Sequence, residues 1–353
     1  MTDAAAVTRY FEHVLPDAVD VAVHDLRRIV GGASRQTWSL DLAWRDAAGE
    51  PRRRGLIVRL DPGASLLDTD RALEFAVYRG LAGSDIPVPE ALWFEPTGTW
   101  LGGPFLVLER VDGCETRPQR MFAEPYAGSV ERLGRRLFEI GGRIAAFDWR
   151  AAGWEFMDAP APEDCWRREL AHWERVIEVH RSDAQPVTRA AIDRLRRHPP
   201  PPAQRVAVVH GDFRTGNVLY DEAGAVRGVL DWEMCHLGDP LEDLAWTCMP
   251  NWRWGRSELA GGVLPPAEAH REWERASGLR VDPGAYAWWE VFAHVKAQGI
   301  WITGARNFAD GKTRELNLAW IATRLIAVED RALIARLGAD ARRDGGAGAG
   351  GAG

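Results

Sequence analysis

Apolar positions change their period along this chain. Short runs at residues 26–30, 37–43 and 55–60, rich in Leu, Ile, Val, Thr and Trp and separated by polar or glycine-containing breaks, predict strands. Residues 1–20 predict a short helix. Across 70–81 the spacing becomes helical, with Leu73, Val77 and Leu81 on one face and Glu74 beside it. Ile86-Pro87-Val88-Pro89 stops that helix, and two further strands are expected at 91–94 and 105–109. Strands, one helix and more strands make a small N-terminal α+β lobe over residues 1–110. Val111-Asp112-Gly113 reads as a hinge. Beyond it, apolar residues step by three and four at 130–147, 163–180, 241–247, 266–277, 285–303 and 316–337, so residues 111–340 predict a larger, mainly helical lobe. Prolines at 199–202 punctuate it, and residues 341–353, only Gly and Ala from 345 onward, predict a disordered tail.

Composition adds exclusions. At 353 residues, with 46% hydrophobic and 27% charged residues, the chain is long enough for a substantial core. Its net charge of −7, without a basic run, argues against nucleic-acid binding. The four cysteines, at 114, 165, 235 and 248, lack metal-type spacing and fit a reducing compartment. No run has the length of a membrane span and the first residues lack a signal-peptide core, so a cytoplasmic protein is expected. Seventeen tryptophans are the compositional oddity, nine of them between Trp232 and Trp320. Most should be core, and some could floor an apolar substrate site.

Chemistry concentrates in 206–233. There an apolar strand leads into His210-Gly211-Asp212-Phe213-Arg214-Thr215-Gly216-Asn217, and a later apolar stretch into Asp231-Trp232-Glu233. One carboxylate, an amide five residues on and a second carboxylate are the groups nucleotide-dependent phosphoryl transfer requires. The first accepts the proton of an attacking hydroxyl, and the other two hold magnesium against a triphosphate. Asp212 is therefore the candidate base, and Asn217 and Asp231 supply hard oxygen ligands for Mg2+. Glu233 lies near them, for an outer role or substrate contact. His210 is expected to set the turn through backbone hydrogen bonds. In Leu237-Gly238-Asp239-Pro240-Leu241-Glu242-Asp243, Asp239 reads as a helix cap, and Asp243 as a brace accepting backbone N–H groups.

The first lobe offers complementary groups. Gly31-Gly32-Ala33-Ser34 sits between two strands, where glycine lets backbone N–H groups approach phosphate, so Gly32 and Ser34 are nucleotide candidates. Arg59 near the end of an apolar strand and Glu74 in the next helix match the strand cation and steering carboxylate of kinase-like lobes.

Taken in order, these segments, with Phe105-Leu106-Val107-Leu108-Glu109-Arg110-Val111-Asp112-Gly113, resemble the aminoglycoside phosphotransferase superfamily over about residues 25–330. More narrowly they resemble the branch related to the kinase-like domain of acyl-CoA dehydrogenases that process hydroxyacyl-CoA. The resemblance implies a bilobal protein-kinase-like fold, an antiparallel-sheet lobe followed by a helical one, with ATP in the cleft. It implies adenine bonded to backbone near Glu109 and Val111, Asp212 as base, and Asn217 and Asp231 on magnesium. Arg59 replaces the usual lysine, a feature frequent in that branch.

The acceptor is read as a small hydroxylated molecule. Helix residues 286–301 carry aromatic rings with isolated Glu290, His294 and Lys296, so Trp288, Glu290 and His294 are substrate candidates for a moderately apolar alcohol such as a hydroxyacyl-CoA. An aminoglycoside acceptor is the alternative within the same chemistry. Two other classes remain: a nucleotide-binding pseudokinase, and a metal-dependent hydrolase using His210, Asp212, Asp231, His236 and Asp239.

Overall fold

The computed structural model describes residues 3–29, 36–61, 71–312 and 316–347. Five strands, β1 (Val19–Ile29), β2 (Gln36–Arg45), β3 (Pro51–Leu60), β4 (Ala91–Glu95) and β5 (Phe105–Glu109), form one antiparallel sheet in the order β1-β2-β3-β5-β4. Alternation along β3 decides what faces what. Leu56, Val58 and Leu60 are buried with Val7, Tyr10 and Phe11 of α1 (Ala4–Val14). Ile57 and Arg59 are thereby left on the opposite face, where α2 (Arg71–Leu81) packs Val77, Tyr78 and Leu81 against Leu106 and Leu108.

The remainder is mainly helical: α3 (Val130–Ala146), α4 (Cys165–His180), α5 (Pro186–Arg197), α6 (Leu241–Cys248), α7 (Pro266–Ser277), α8 (Pro283–Ala309) and α9 (Leu316–Ala347). Between α5 and α6 lie two small antiparallel pairs, β6 (Ala207–Val209) with β9 (His236–Gly238), and β7 (Val218–Tyr220) with β8 (Val226–Val229). Helix α8 is apolar around most of its circumference because it is central, packing against α4, α5, α6 and α9. The lobes meet in backbone where Val229 N–H donates to Pro87 O (2.7 Å), and just past the connection Glu115 and Tyr220 exchange N–H···O bonds of 2.8 and 2.9 Å, fixing the start of the second lobe.

Three elements depart from expectation. β1 starts at Val19 rather than residue 26, because its half-exposed alternation continues upstream of the apolar run. α5 was not predicted, since only Thr188, Ala191, Ile192 and Leu195 are buried on a helix otherwise rich in arginine. α9 extends to Ala347, so residues 341–347, expected in the tail, continue the helix; Ala341, Arg342 and Arg343 are good helix formers. Residues 348–353 lie outside the described residues, as do 30–35, which hold the Gly32/Ser34 turn.

Helix α7 approaches α3 closely at Gly142. A Cβ there would lie 2.6 Å from both Trp273 O and Ala276 Cβ, and one partner is backbone that cannot rotate away. Gly142→Val should therefore cost about 2–3 kcal/mol in urea unfolding. Gly128→Ala, where a Cβ meets nothing within 4 Å, should change stability by less than about 0.5 kcal/mol. Equal midpoints for the two variants would refute the packing argument.

Candidate active site

β6 delivers the chain into His210-Gly211-Asp212. Gly211 has φ +87°, and a Cβ there would sit 2.5 Å from Met234 O, so the turn requires glycine. Asp243, in the first turn of α6, accepts the N–H groups of His210 (2.6 Å) and Gly211 (2.9 Å). His210 is fully buried, and burial pulls its pKa down, so it is neutral. Its Nδ1 accepts Asp212 N–H (3.1 Å) and its Nε2 donates to Leu230 O (2.9 Å), a single tautomer that ties the first turn to the one carrying Asp231.

The Asp212 carboxylate is held by three donors that leave acceptor capacity on Oδ2. Oδ1 accepts from Arg214 Nε (2.9 Å) and Trp246 Nε1 (2.7 Å), and Oδ2 from Asn217 Nδ2 (2.7 Å). Asn217 Nδ2 also donates to Asp212 O (2.8 Å), and Asn217 O accepts Leu230 N–H (2.8 Å). Asp231, at φ +70°, follows at the end of β8. Its Oδ1 accepts from Arg59 Nη2, and its N–H donates to Tyr78 Oη (3.0 Å). Arg59 Nη1 donates to Glu74 Oε1 (2.9 Å). Burial opposes the guanidinium charge, but Glu74 and Asp231 outweigh it and raise the Arg59 pKa well above its ordinary value.

Arg71 adds a second cation. Its Nε donates to Asp61 Oδ2 (2.9 Å), and its Nη1 lies 3.5 Å from Glu74 Oε2 and 3.4 Å from Glu233 Oε2. Arg59 and Arg71 each bridge α2 to the turn after β8.

Beneath the first turn lies a buried ionic group. Lys296 Nζ of α8 donates to Gly211 O (2.5 Å) and Glu242 Oε1 (2.7 Å). His236 Nε2 faces Glu242 Oε2 (3.2 Å) and Glu169 Oε1 (3.6 Å). Burial would push Glu242 up, yet Lys296 and His236 bring its pKa down to about 2. Burial would pull His236 down, yet Glu169 and Glu242 raise it to about 9. Glu169, His236 and Glu242 are the one group of three metal-type ligands close together among the described residues. Burial pushes the Glu169 pKa up, against the pull of His236, while Lys296 and His236 hold Glu242 charged.

Thus Asp212, Asn217, Asp231, Arg59, Glu74 and Glu233 come together between the lobes. Glu109 ends β5 at the interlobe connection, its N–H on Glu90 O (2.9 Å), and half-buried Val111 follows. Trp288, Glu290 and His294 are not brought to Asp212. Trp288 packs on Phe292 and Trp166 and donates to Leu195 O (3.1 Å). Glu290 pairs with Arg336 (3.1 Å), and His294 with buried Glu329 (2.6 Å). Trp246 donates to Asp212, and Trp252 and Trp254 follow it in succession, with centroids 5.5 and 6.0 Å apart. The hydrolase ligand set is dispersed: His210 is spent on Leu230, His236 on its two glutamates, and Asp239 caps Leu241 N–H (3.0 Å) and accepts from Trp289 Nε1 (3.0 Å). Sequence reading missed Arg71, Glu242 and Trp246; the signals available were Arg71 three residues before Glu74 and Trp246 three after Asp243.

Residues 25–288 match the family model of the phosphotransferase enzyme family. The chain is 30% identical over 200 residues to mouse acyl-CoA dehydrogenase family member 10, covering 56% of this chain but 18% of that protein. It is 30% identical over 185 residues to viomycin phosphotransferase of Streptomyces vinaceus, covering 48% and 58%. A Ralstonia eutropha structure, provisionally assigned as an aminoglycoside phosphotransferase, superposes with TM-score 0.70 at 20% identity over 95% of this chain and 98% of that one. A thermostable mutant of aminoglycoside phosphotransferase APH(4)-Ia, in complex with AMP-PNP and hygromycin B, gives 0.58 at 18%, covering 93% and 98%. The bilobal kinase-like architecture expected from sequence is the fold of these neighbours. No helix of the described residues is long and apolar enough to cross a membrane.

The folded state holds the His236 proton more tightly than the unfolded chain. Its contribution to stability is therefore full below the ordinary value near 6.5 and drains as pH rises through about 9. Melting temperature measured from pH 6 to 10 should show the wild type losing its advantage over His236→Gln across that window. A constant difference between the two proteins would contradict a charged His236.

Proposed function

The chain belongs to the phosphotransferase enzyme family, and from that premise we propose that it transfers the γ-phosphate of ATP to a hydroxyl of a small, moderately apolar molecule, with hydroxyacyl-CoA compounds as the leading candidates. The observation that carries this reading is that Asp212 holds Asn217, that His210 and Asn217 both bond Leu230 next to Asp231, and that Arg59 and Glu74 of the first lobe bind Asp231 in turn.

Asp212 is the base that receives the hydroxyl proton, and Trp246, Arg214 and Asn217 fix its orientation. Arg59, steered by Glu74, holds the α/β-phosphates, and its planar fork serves where a lysine would offer a point charge. Asn217 and Asp231 suit Mg2+. Asn217 spends its N–H donors on Asp212, leaving its amide oxygen as a ligand, and a carboxylate bonded to Arg59 on one oxygen retains lone pairs for a cation. Bound there, the ion neutralises charge on the phosphates. Adenine would meet backbone at Glu109 and Val111, and the Gly32/Ser34 turn would cover the phosphates. Similarity to viomycin phosphotransferase, and to an aminoglycoside phosphotransferase in complex with AMP-PNP and hygromycin B, supports phosphoryl transfer to small molecules. The surroundings of Asp212 are aromatic rather than acidic, with the tilted indoles of Trp246, Trp252 and Trp254 in succession, which favours an acceptor with an apolar body over a polycation.

Asp212→Asn should leave magnesium-dependent ATP binding within about threefold by calorimetry while lowering transfer by about 10²–10⁴. Full transfer activity in that variant, or no magnesium-dependent ATP uptake by the wild type, would overturn the proposal.

A further inference from the structure

The turn that carries Asp231 is held in an uncommon backbone conformation. Asp231 has φ +70° and ψ 54°, in the left-handed region that residues other than glycine enter rarely and keep only where their surroundings enforce it. The enforcement acts on one peptide unit. Its carbonyl end, Leu230 O, accepts from His210 Nε2 (2.9 Å), and its amide end, Asp231 N–H, donates to Tyr78 Oη (3.0 Å). The preceding N–H, that of Leu230, is taken by Asn217 O (2.8 Å). For Asp231 to leave the left-handed region that peptide must rotate, and rotation breaks the bonds at both its ends. His210 holds one end from the second lobe, and Tyr78 of α2 holds the other from the first.

The Tyr78 hydroxyl is not needed for packing. Its ring is fully buried in the same core as Val77, Leu81 and Leu106, a place phenylalanine would fill equally well. Burial raises the phenol pKa above its ordinary value, so the oxygen is neutral, and Arg59 Nη1 lies 3.5 Å from it. One uncharged oxygen on α2 thus touches both the backbone of Asp231 and the arginine that binds the Asp231 carboxylate.

From this geometry we infer that Tyr78 is a positioning residue for the metal-binding turn: its hydroxyl keeps the Leu230–Asp231 peptide in the orientation from which the Asp231 carboxylate meets Arg59 and is offered to the cation. The inference rests on the reading of Asp231 as a magnesium ligand and deepens it, because it makes the competence of that ligand depend on where α2 lies. Without the hydroxyl, Asp231 N–H loses this acceptor in the left-handed state and the flipped peptide gains population. The cation then binds only the remaining competent fraction, and its apparent affinity falls in proportion.

Tyr78→Phe tests this, since it removes one oxygen and leaves the ring. Calorimetric titration with ATP at a series of magnesium concentrations should place half-saturation by magnesium about 10-fold higher than in the wild type, while ATP affinity without divalent cation changes by less than about twofold. Amide exchange at Asp231 in the free protein should quicken by a similar factor, with the amides of α2 unchanged. Tyr220→Phe is the control. It removes another buried phenol, one that donates to Arg117 O (2.8 Å), and should leave both readouts at wild-type values. An unchanged magnesium dependence in Tyr78→Phe, an equal loss of ATP affinity with and without the cation, or equal shifts in the two variants would overturn the inference. So would faster exchange along the whole of α2, the sign of a hydroxyl that only stabilises the helix. Wild-type protein whose ATP binding ignores magnesium would remove the phosphotransfer reading itself, a failure seen before any substitution is made.

Discussion

The position of the base rests on charges buried beneath it. Asp243 accepts two successive N–H groups of the turn, and Lys296 donates to the carbonyl of Gly211, so donors and acceptors of the same peptide segment are held from below. Groups this deeply buried cost several kcal/mol each unless paired. The pairing here is close: Lys296 with Glu242, Glu242 with His236, His236 with Glu169. The chain has only two lysines, Lys296 and Lys312, and uses arginine elsewhere. A compact ammonium reaches both a carbonyl and a carboxylate between the rings of Trp173 and Trp246, 5.8 and 5.1 Å away, where a planar guanidinium would need more room.

Above that base, two arginines join the lobes. Arg59 spans β3, α2 and the turn after β8 through Glu74 and Asp231, and Arg71 repeats the link through Glu74 and Glu233. Glu74 and Arg71 both ride on α2, so the helix cannot shift without disturbing Arg59–Glu74 and Arg71–Glu233. Tyr78, one turn further along α2, adds a neutral bond to Asp231 N–H. The placement of the first lobe on the second is therefore set by charge pairing across them as much as by the backbone contact at Pro87.

Much of this was legible beforehand, for identifiable reasons. The first lobe reads well because its strands alternate and its helix has a clear apolar face. The turns at 210–217 and 231–233 read well because their polar residues have few structural uses in that order. The brace by Asp243 and the capping by Asp239 followed from their place at the start of a helix. Long-range pairing was harder. Nothing local in Val291-Phe292-Ala293-His294-Val295-Lys296 says which polar side chain points at the catalytic turn. On a central helix every face is buried, and periodicity loses its power to assign direction.

That loss of direction explains the placement of the tryptophans. Of the three in α8, Trp288 and Trp289 turn inward to Leu195 and Asp239 and Trp301 bonds Glu329 of α9, while Trp246 of α6 and Trp252 and Trp254 beyond it reach the region of Asp212. The turn carrying Asp212, its brace Asp243 and the indoles of Trp246, Trp252 and Trp254 all lie within 210–254, apart in sequence from Arg59 on β3 and Glu74 on α2. Arg214 ties that segment together: its Nε is bonded to Asp212, its guanidinium lies over the Trp252 ring, and the glycine two residues on leaves it room.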